Sequence, residues 1–425
     1  MSAETPSTSA DLPRVSVIAP VRNRVDSLRA CLQSLERLRY PAELLEIVVV
    51  DDGSTDATPG VVAESQGCVE LSLVRLPSRR GPAAARNAGA GEARGEILAF
   101  VDSDCLVDPD WLAELVPEFR DAGVAAAGGA VLQIDHGGRL DRYDAVRSPA
   151  YLGGERALVR PGTRVSYLSG ASMLVRRADF TAAGGFDTTL RVGEDLDLVW
   201  RLAAAGRRVV YNPRGRVQLD HRDTPVDFVR RRMTYAASEV PLLRRHGHPR
   251  RVLELPVLPA LALAGAAVAV AVGRAELAPL ALGPLLLDLA FGRDDGESST
   301  ARLRAHGRDA GSFLYHGARA LSRYYAAPVA AGTLALELAV AEAVWAWPVL
   351  AAALAGPTLA DWVRLRPPLN PLSFAAIGVL DNLSYHGGIV AACARQRTLR
   401  PLALHVSARV RRRGLRLGPV PTRVE

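Results

Sequence analysis

The sequence predicts an α/β fold: a mostly parallel sheet with helices on both faces, followed by a mostly helical, apolar C-terminal region. Three observations predict it. Short apolar runs alternate with segments of helical period through the first quarter of the chain. Carboxylates and turn residues gather at the carboxyl ends of those runs, where ligands sit in such sheets. Beyond residue 250, uncharged stretches replace the alternation.

The elements follow in order. Val15-Ser16-Val17-Ile18-Ala19-Pro20 reads as a buried strand. From Asn23 to Arg39, Val25, Leu28, Leu32, Leu35 and Leu38 recur at helical spacing. A second strand, from Leu44 to Val50, ends in Asp51-Asp52-Gly53-Ser54-Thr55-Asp56, with Asp56 as N-cap of the next helix. A third strand runs from Val69 to Leu76, Arg80-Gly81-Pro82 turns the chain, and a helix opens at Ala83. The fourth strand, ending at Phe100, delivers Asp102 and Asp104. Side chains repeat every two residues along a strand, so these two carboxylates point the same way. The pair suits a hard divalent cation. By itself the pair is a weak sign and reads as a solvated turn, since Asp108-Pro109-Asp110 follows.

A chain of 425 residues exceeds one ordinary core. Lys and Arg total 52 against 45 Asp and Glu, a formal charge of +7. With aromatics at 5% and no base-stacking motif, the excess points to phosphate-bearing ligands or a membrane surface, and not to nucleic acid. The four cysteines are scattered and form no C-x-x-C pair, which argues against structural zinc and for a reducing compartment. Residues 1–13 read as a disordered tail, 14–247 as the catalytic domain and 248–425 as a hydrophobic helical region.

Four strand-end segments stand in a telling order: VSVIAPVRN at 15–23, VVVDDGSTD at 48–56, GPAAARNAG at 81–89 and FVDSD at 100–104. In order and spacing they resemble the family-2 glycosyltransferases, and the resemblance extends to about residue 235. It implies a GT-A fold, a nucleotide-diphosphate sugar as donor and a divalent cation, Mg or Mn. It also implies a nucleotide site lined by Pro20, Arg22, Asp51, Asp52, Arg86, Asn87 and Asp102, with metal at Asp102 and Asp104.

Ser166 to Arg176 reads as a strand of small residues; the resemblance places acceptor- and sugar-facing backbone near Gly170-Ala171. Glu194 and Asp195 open an amphipathic helix, where the macrodipole favours carboxylates. Helix capping alone accounts for such a pair. The resemblance instead implies a catalytic pair, with Asp195 as general base and Glu194 beside it. Asp197 reads as facing the helix's polar side. The resemblance also places a metal-ligating His near His221, which otherwise reads as solvated. Arg230-Arg231-Arg232 reads as a solvated helix face or as counter-charge to a diphosphate. No Trp follows, unlike in processive members of the family.

Leu255–Val272 and Ala343–Ala360 are each uncharged for 18 residues, the lower limit for a membrane span. Arginines flank them at 244–251, 364–366 and 409–416. Shorter apolar runs stand at Leu277–Leu287, Ala326–Leu336 and Leu369–Leu380. The runs read as spans, hairpins or in-plane helices, with a soluble helical domain as the alternative. In the membrane reading the arginine flanks place the chain at the cell membrane with its catalytic domain on the cytoplasmic face.

DRYDAVRSP at 141–149, RPGTRV at 160–165 and RVGEDLDLVW at 191–200 resemble the mycofactocin-system branch of the family. That resemblance implies UDP-glucose as donor and a peptide-derived redox cofactor precursor as acceptor, carrying a β-linked oligoglucoside. Synthesis of a cell-surface polysaccharide or glycolipid is the alternative. A non-catalytic membrane scaffold is a third reading, opposed by the intact carboxylate pairs.

Overall fold

The computed structural model describes residues 12–65, 67–163, 165–220, 224–247, 252–256, 299–325, 330–331, 333–334, 346–402 and 405–409, with 274, 276 and 280. In chain order the elements are β1 (Val15–Val21), α1 (Val25–Leu35), β2 (Leu45–Asp51), α2 (Thr58–Glu64), β3 (Glu70–Arg75), α3 (Pro82–Glu92), β4 (Ile97–Phe100), β5 (Cys105–Val107), α4 (Trp111–Leu115), β6 (Val124–Gln133), α5 (Arg139–Arg147) and β7 (Ala157–Leu158). Then come β8 (Met173–Arg176), α6 (Arg177–Ala182), α7 (Glu194–Ala204), β9 (Arg208–Leu219), α8 (Pro225–Ala237), α9 (Glu239–His246), β10 (Val252–Pro256), α10 (Ser299–Tyr324), α11 (Ala346–Leu365), α12 (Pro371–Gln396) and β11 (His405–Arg409).

The main sheet has the order β3-β2-β1-β4-β8-β6-β9-β5, with β7 also on β9. Strands β3, β2, β1 and β4 are parallel. Alternating side chains of β1 and β2 fill both faces: Val15, Val17, Ala19, Leu45, Ile47 and Val49 meet α1 on one side. Ile18, Val48 and Val50 meet α3 and α7 on the other. The expected mostly parallel sheet needs correction, because β8 runs antiparallel between β4 and β6, and β5 and β7 run antiparallel to β9. The sheet is mixed. An apolar run buried on both faces reads the same in either direction, so the sequence carried no sign of the reversal.

The chain divides into two compact units: Met1–Arg250 with Asp361–Pro401, and Arg251–Ala360 with Leu402–Glu425. In the first unit, α12 returns to pack on α8. Tyr143 of α5, Phe228 of α8 and Phe374 of α12 meet there, with the Tyr143 and Phe374 ring centres 5.1 Å apart. Buried charges join them: Arg232 bonds Asp144, and its Nε lies 3.2 Å from Asp381 Oδ1. Tyr143 donates to Asp381 Oδ2 at 3.1 Å. Residues 361–401 thus belong to the unit that carries the sheet. In the second unit, β10 and β11 form a parallel pair, and Tyr325 Oη donates to the Leu402 carbonyl at 2.6 Å.

Among the described residues, no helix is long and apolar enough to cross a membrane. The expected run Leu255–Val272 lies outside them beyond Pro256, and Ala343–Ala360 is described only from Ala346. There it forms α11, with Pro357 inside the helix. Arginines recur along α10, and α12 turns Asp381, Asn382, Ser384, Tyr385 and His386 inward. Such helices do not read as spans.

Candidate active site

The carboxyl ends of β1, β2 and β4 and the start of α7 meet above the sheet. Asn23, left-handed at φ +52°, ties the β1 loop to the β2 loop: its N–H donates to Ser54 Oγ at 2.9 Å and its Oδ1 accepts from Thr55 N at 2.9 Å. Asp51 is fully buried; its Oδ1 accepts from Ser54 N at 2.9 Å and its Oδ2 pairs with Arg75 at 3.3 Å. Asp52 accepts the Arg80 and Gly81 N–H groups at 2.6 and 2.9 Å, fixing the turn into α3. Asp56 holds the Thr58 N–H at 3.0 Å, one residue outside the N-cap position, which Ala57 occupies. Pro20 and Arg22 are half-buried at the end of β1. The Arg22 Nε is shielded from water and has no hydrogen-bond partner among the described residues.

Arg86, on α3, is the hub. Its guanidinium donates to Asp102 Oδ1 and to Glu194 Oε1, both at 2.6 Å, with only 5% of the side chain exposed. It lies 5.6 Å from the Phe186 ring centre. Burial alone would lower its pKa; the charges of Asp102, Glu194 and Asp195 overcome this and raise it, so the cation is held firmly. Asn87 has a structural partner: its amide exchanges two bonds with the Phe186 backbone, at 2.7 and 2.9 Å.

Gly193, left-handed at φ +88°, turns the chain into α7. Asp195 follows, its Oδ2 accepting from Gly170 N at 2.9 Å and its Oδ1 from Leu196 N at 2.8 Å. The Gly170 N–H thus helps to hold the base candidate. Burial, and then the charge of Asp195, push Glu194 up to about 7. Burial raises Asp195 as well, against the opposing bond from Gly170.

Asp102 and Asp104 have 36% and 16% of their side chains exposed, and Asp104 lies 3.3 Å from Arg24 Nη1. Among the described residues no three His, Cys, Asp or Glu side chains gather into a metal cage. Two partly open carboxylates at one strand end still fit a small hard cation, which keeps waters and takes substrate phosphate oxygens as further ligands. His221 lies outside the described residues.

Sequence reasoning missed several partners. Asp197 is fully buried, not on a polar face: Arg201 Nε reaches it at 2.7 Å, His246 Nε2 at 2.8 Å and Arg245 Nη1 at 3.3 Å. Arg201 at i+4 was the one local sign. His136 Nε2 lies 2.6 Å from Asp220 Oδ1, and Asp220 N–H donates to the Asp104 carbonyl at 2.8 Å. Arg231, read as solvated or as diphosphate counter-charge, donates to Asp144 at 2.8 Å, and Arg232 is 2% exposed.

Residues 16–182 match the family described as Glycosyl transferase family 2. The chain is 31% identical over 395 residues to the pre-mycofactocin glycosyltransferases of two Mycobacterium tuberculosis strains, covering 91% of this chain and 80% of theirs. A succinoglycan biosynthesis protein of Rhizobium meliloti, ExoO, is 32% identical over 211 residues, covering 48% of this chain and 59% of that protein. Among solved structures, a mannosyltransferase from Pyrobaculum calidifontis, in complex with GDP-Man and Mn2+, has a TM-score of 0.46 and 26% identity, covering 71% of this chain and 81% of that one. With identity to family enzymes sustained along nearly its whole length, the chain belongs to glycosyl transferase family 2.

Proposed function

We propose that this glycosyltransferase moves glucose from UDP-glucose onto a peptide-derived acceptor of the pre-mycofactocin type, with inversion at the anomeric carbon. One observation carries the acceptor: the likeness to the pre-mycofactocin enzymes spans 91% of the chain and so includes the region beyond the sheet. The likeness to the succinoglycan protein spans 48%. That second likeness supports the alternative, transfer to a growing polysaccharide or lipid-linked sugar.

In this reading the acceptor oxygen attacks the anomeric carbon, the bond to the diphosphate breaks, and Asp195 takes the acceptor proton. The two backbone N–H groups on Asp195 fix its carboxylate so that little reorganisation is needed. Arg86 holds Glu194 beside it and offsets part of the negative charge at that end of the cleft. Pro20, Arg22, Asp51 and Asp52 shape the nucleotide pocket, with the Arg22 guanidinium as counter-charge to a phosphate. Asp102 and Asp104 would hold a bound Mg or Mn, which supplies Lewis-acid stabilisation of the departing diphosphate.

Labelled UDP-glucose, offered with the peptide-derived acceptor and separately with a membrane lipid extract, tests the reading. Label in the peptide-derived product supports it. Label confined to lipid transfers the assignment to the alternative.

A further inference from the structure

Along α12 the usual partition of side chains is reversed. Asp381, Asn382, Ser384, Tyr385 and His386 are all buried. Asp381 meets Tyr143 and Arg232, and Tyr385 donates to Glu239. The outer face carries Leu372, Leu383 and Val390, which are 80%, 46% and 41% exposed, with exposed Ala376 and Ala394 on the same side. At 3.6 residues per turn these five positions fall within roughly 40° of one another, a stripe about 33 Å long. Helices that hide polar groups and show apolar ones suit an apolar environment.

The charges around the stripe are one-sided. In residues 361–401 the only acidic groups, Asp361 and Asp381, are buried. Arg364 and Arg366 before the helix and Arg395, Arg397 and Arg400 at its far end are all exposed. A second copy of the chain would suit this face poorly. Antiparallel pairing of two α12 helices sets one arginine cluster against the other, and parallel pairing sets each against itself. An anionic lipid surface matches both features, taking the stripe into its acyl boundary and the arginines among its phosphates.

We propose that the outer face of α12 seats the enzyme on an anionic bilayer, with the helix lying in the interfacial plane and not crossing it. This puts a named surface to the membrane expected from sequence, and it is independent of which donor or acceptor the site takes.

Flotation of the full-length chain with vesicles tests it. Two compositions serve, pure phosphatidylcholine and an equal mixture with phosphatidylglycerol. The parent is expected to float with the mixed vesicles, and more weakly with the neutral ones. Leu372→Glu/Leu383→Glu/Val390→Glu is expected to weaken flotation at least about thirtyfold, since three apolar contacts are lost. Arg364→Glu/Arg366→Glu/Arg395→Glu is expected to remove the preference for the mixed vesicles. Circular dichroism and donor hydrolysis, unchanged in both variants, show that they fold. Equal flotation of the parent and the apolar-face variant overturns the proposal, as does a parent that binds neither vesicle. Concentration-dependent dimerisation lost in that variant, without vesicle binding, also overturns it and assigns the face to a second copy.

Discussion

Arg86 Nη1 donates to Glu194 Oε1 at 2.6 Å, across 108 residues of sequence. The same guanidinium reaches Asp102 at 2.6 Å, so the carboxylates after β4 and the pair opening α7 share one cation. Arg86→Ala leaves Glu194 buried and unpaired, which is expected to destabilise the fold by about 3–5 kcal/mol. Arg86→Lys keeps the charge but not the planar fork, and a lysine ammonium cannot match both bonds. Its fold is expected to survive while transfer falls at least about tenfold, roughly the loss of one charge-assisted bond. Thermal melts and single-turnover assays separate the two effects. Wild-type turnover in the lysine variant removes Arg86 from any role in positioning the pair.

The Glu194–Asp195 pair also sets a pH dependence. Glu194 is raised from 4.5 to about 7 by burial and the charge of Asp195. Between those values the folded protein keeps a proton that the unfolded chain has released. Stability therefore falls as pH rises through that window, then levels. Asp195, also raised by burial, adds to the same fall, while the carboxyls shifted downward, Glu46, Asp56, Asp187 and Glu276, act below it with the opposite sign. Glu194→Gln is expected to flatten the slope in urea midpoints measured across the window. Activity runs the other way, because a base must be ionised: it is lost on acidification, at a pH above the ordinary carboxylate range. An unchanged slope in the Gln variant would show that Glu194 does not carry the linkage.

The first four strands and the motifs at their ends were legible in the sequence, because residues buried on both faces and turn residues at their ends leave local patterns. Partners were not legible. Nothing near Arg86 announces Glu194, and nothing near Asp197 announces His246 from α9. Strand direction was also hidden: Met173–Arg176 is apolar enough for a strand but says nothing of its reversal against Ile97–Phe100. Along the apolar stretch 369–380 that opens α12, exposed Leu372 and buried Phe374 and Ala375 are alike apolar, so the pattern hid which face is which. Only the packing of α12 on α8 tells its two faces apart.

Asp195→Asn tests the base. The substitution keeps shape but replaces one carboxylate oxygen by an NH2 group. Asp195 uses both oxygens as acceptors, from Gly170 and Leu196, so Asn can keep only one of these bonds. Transfer is expected to fall at least about 10²-fold. UDP-sugar affinity, read by calorimetry, is expected to hold, because a group used in the transition state alone leaves ground-state binding intact. A loss of affinity equal to the loss of rate would assign Asp195 to donor binding. Wild-type turnover at saturating donor and acceptor would leave it a structural residue that ties Gly170 to the start of α7.

The last prediction concerns how far the catalytic unit extends. Gly388 of α12 sits against the backbone of Met233 in α8: a Cβ there would lie 2.7 Å from Met233 Cα and 2.8 Å from its carbonyl carbon. Backbone cannot swing aside as a side chain can, so Gly388→Ala forces the two helices apart. The expected cost is about 1–3 kcal/mol, as for other overpacked cores. The helix gains propensity from the same change, roughly 1 kcal/mol for an exposed site, so a net loss identifies the contact as decisive. A chain ending at Gly247 loses more. It uncovers Tyr143 and Phe228 and takes Asp381 from Arg232, which is 2% exposed and keeps Asp144 as its remaining carboxylate. That shortened chain is expected to melt below the full-length protein and to lose transfer with it. Gly387→Ala is the control, since its Cβ would meet only the mobile Met233 methyl at 3.7 Å. If the chain ending at Gly247 melts and turns over like the parent, and Gly388→Ala matches Gly387→Ala, then α12 is not part of the catalytic fold.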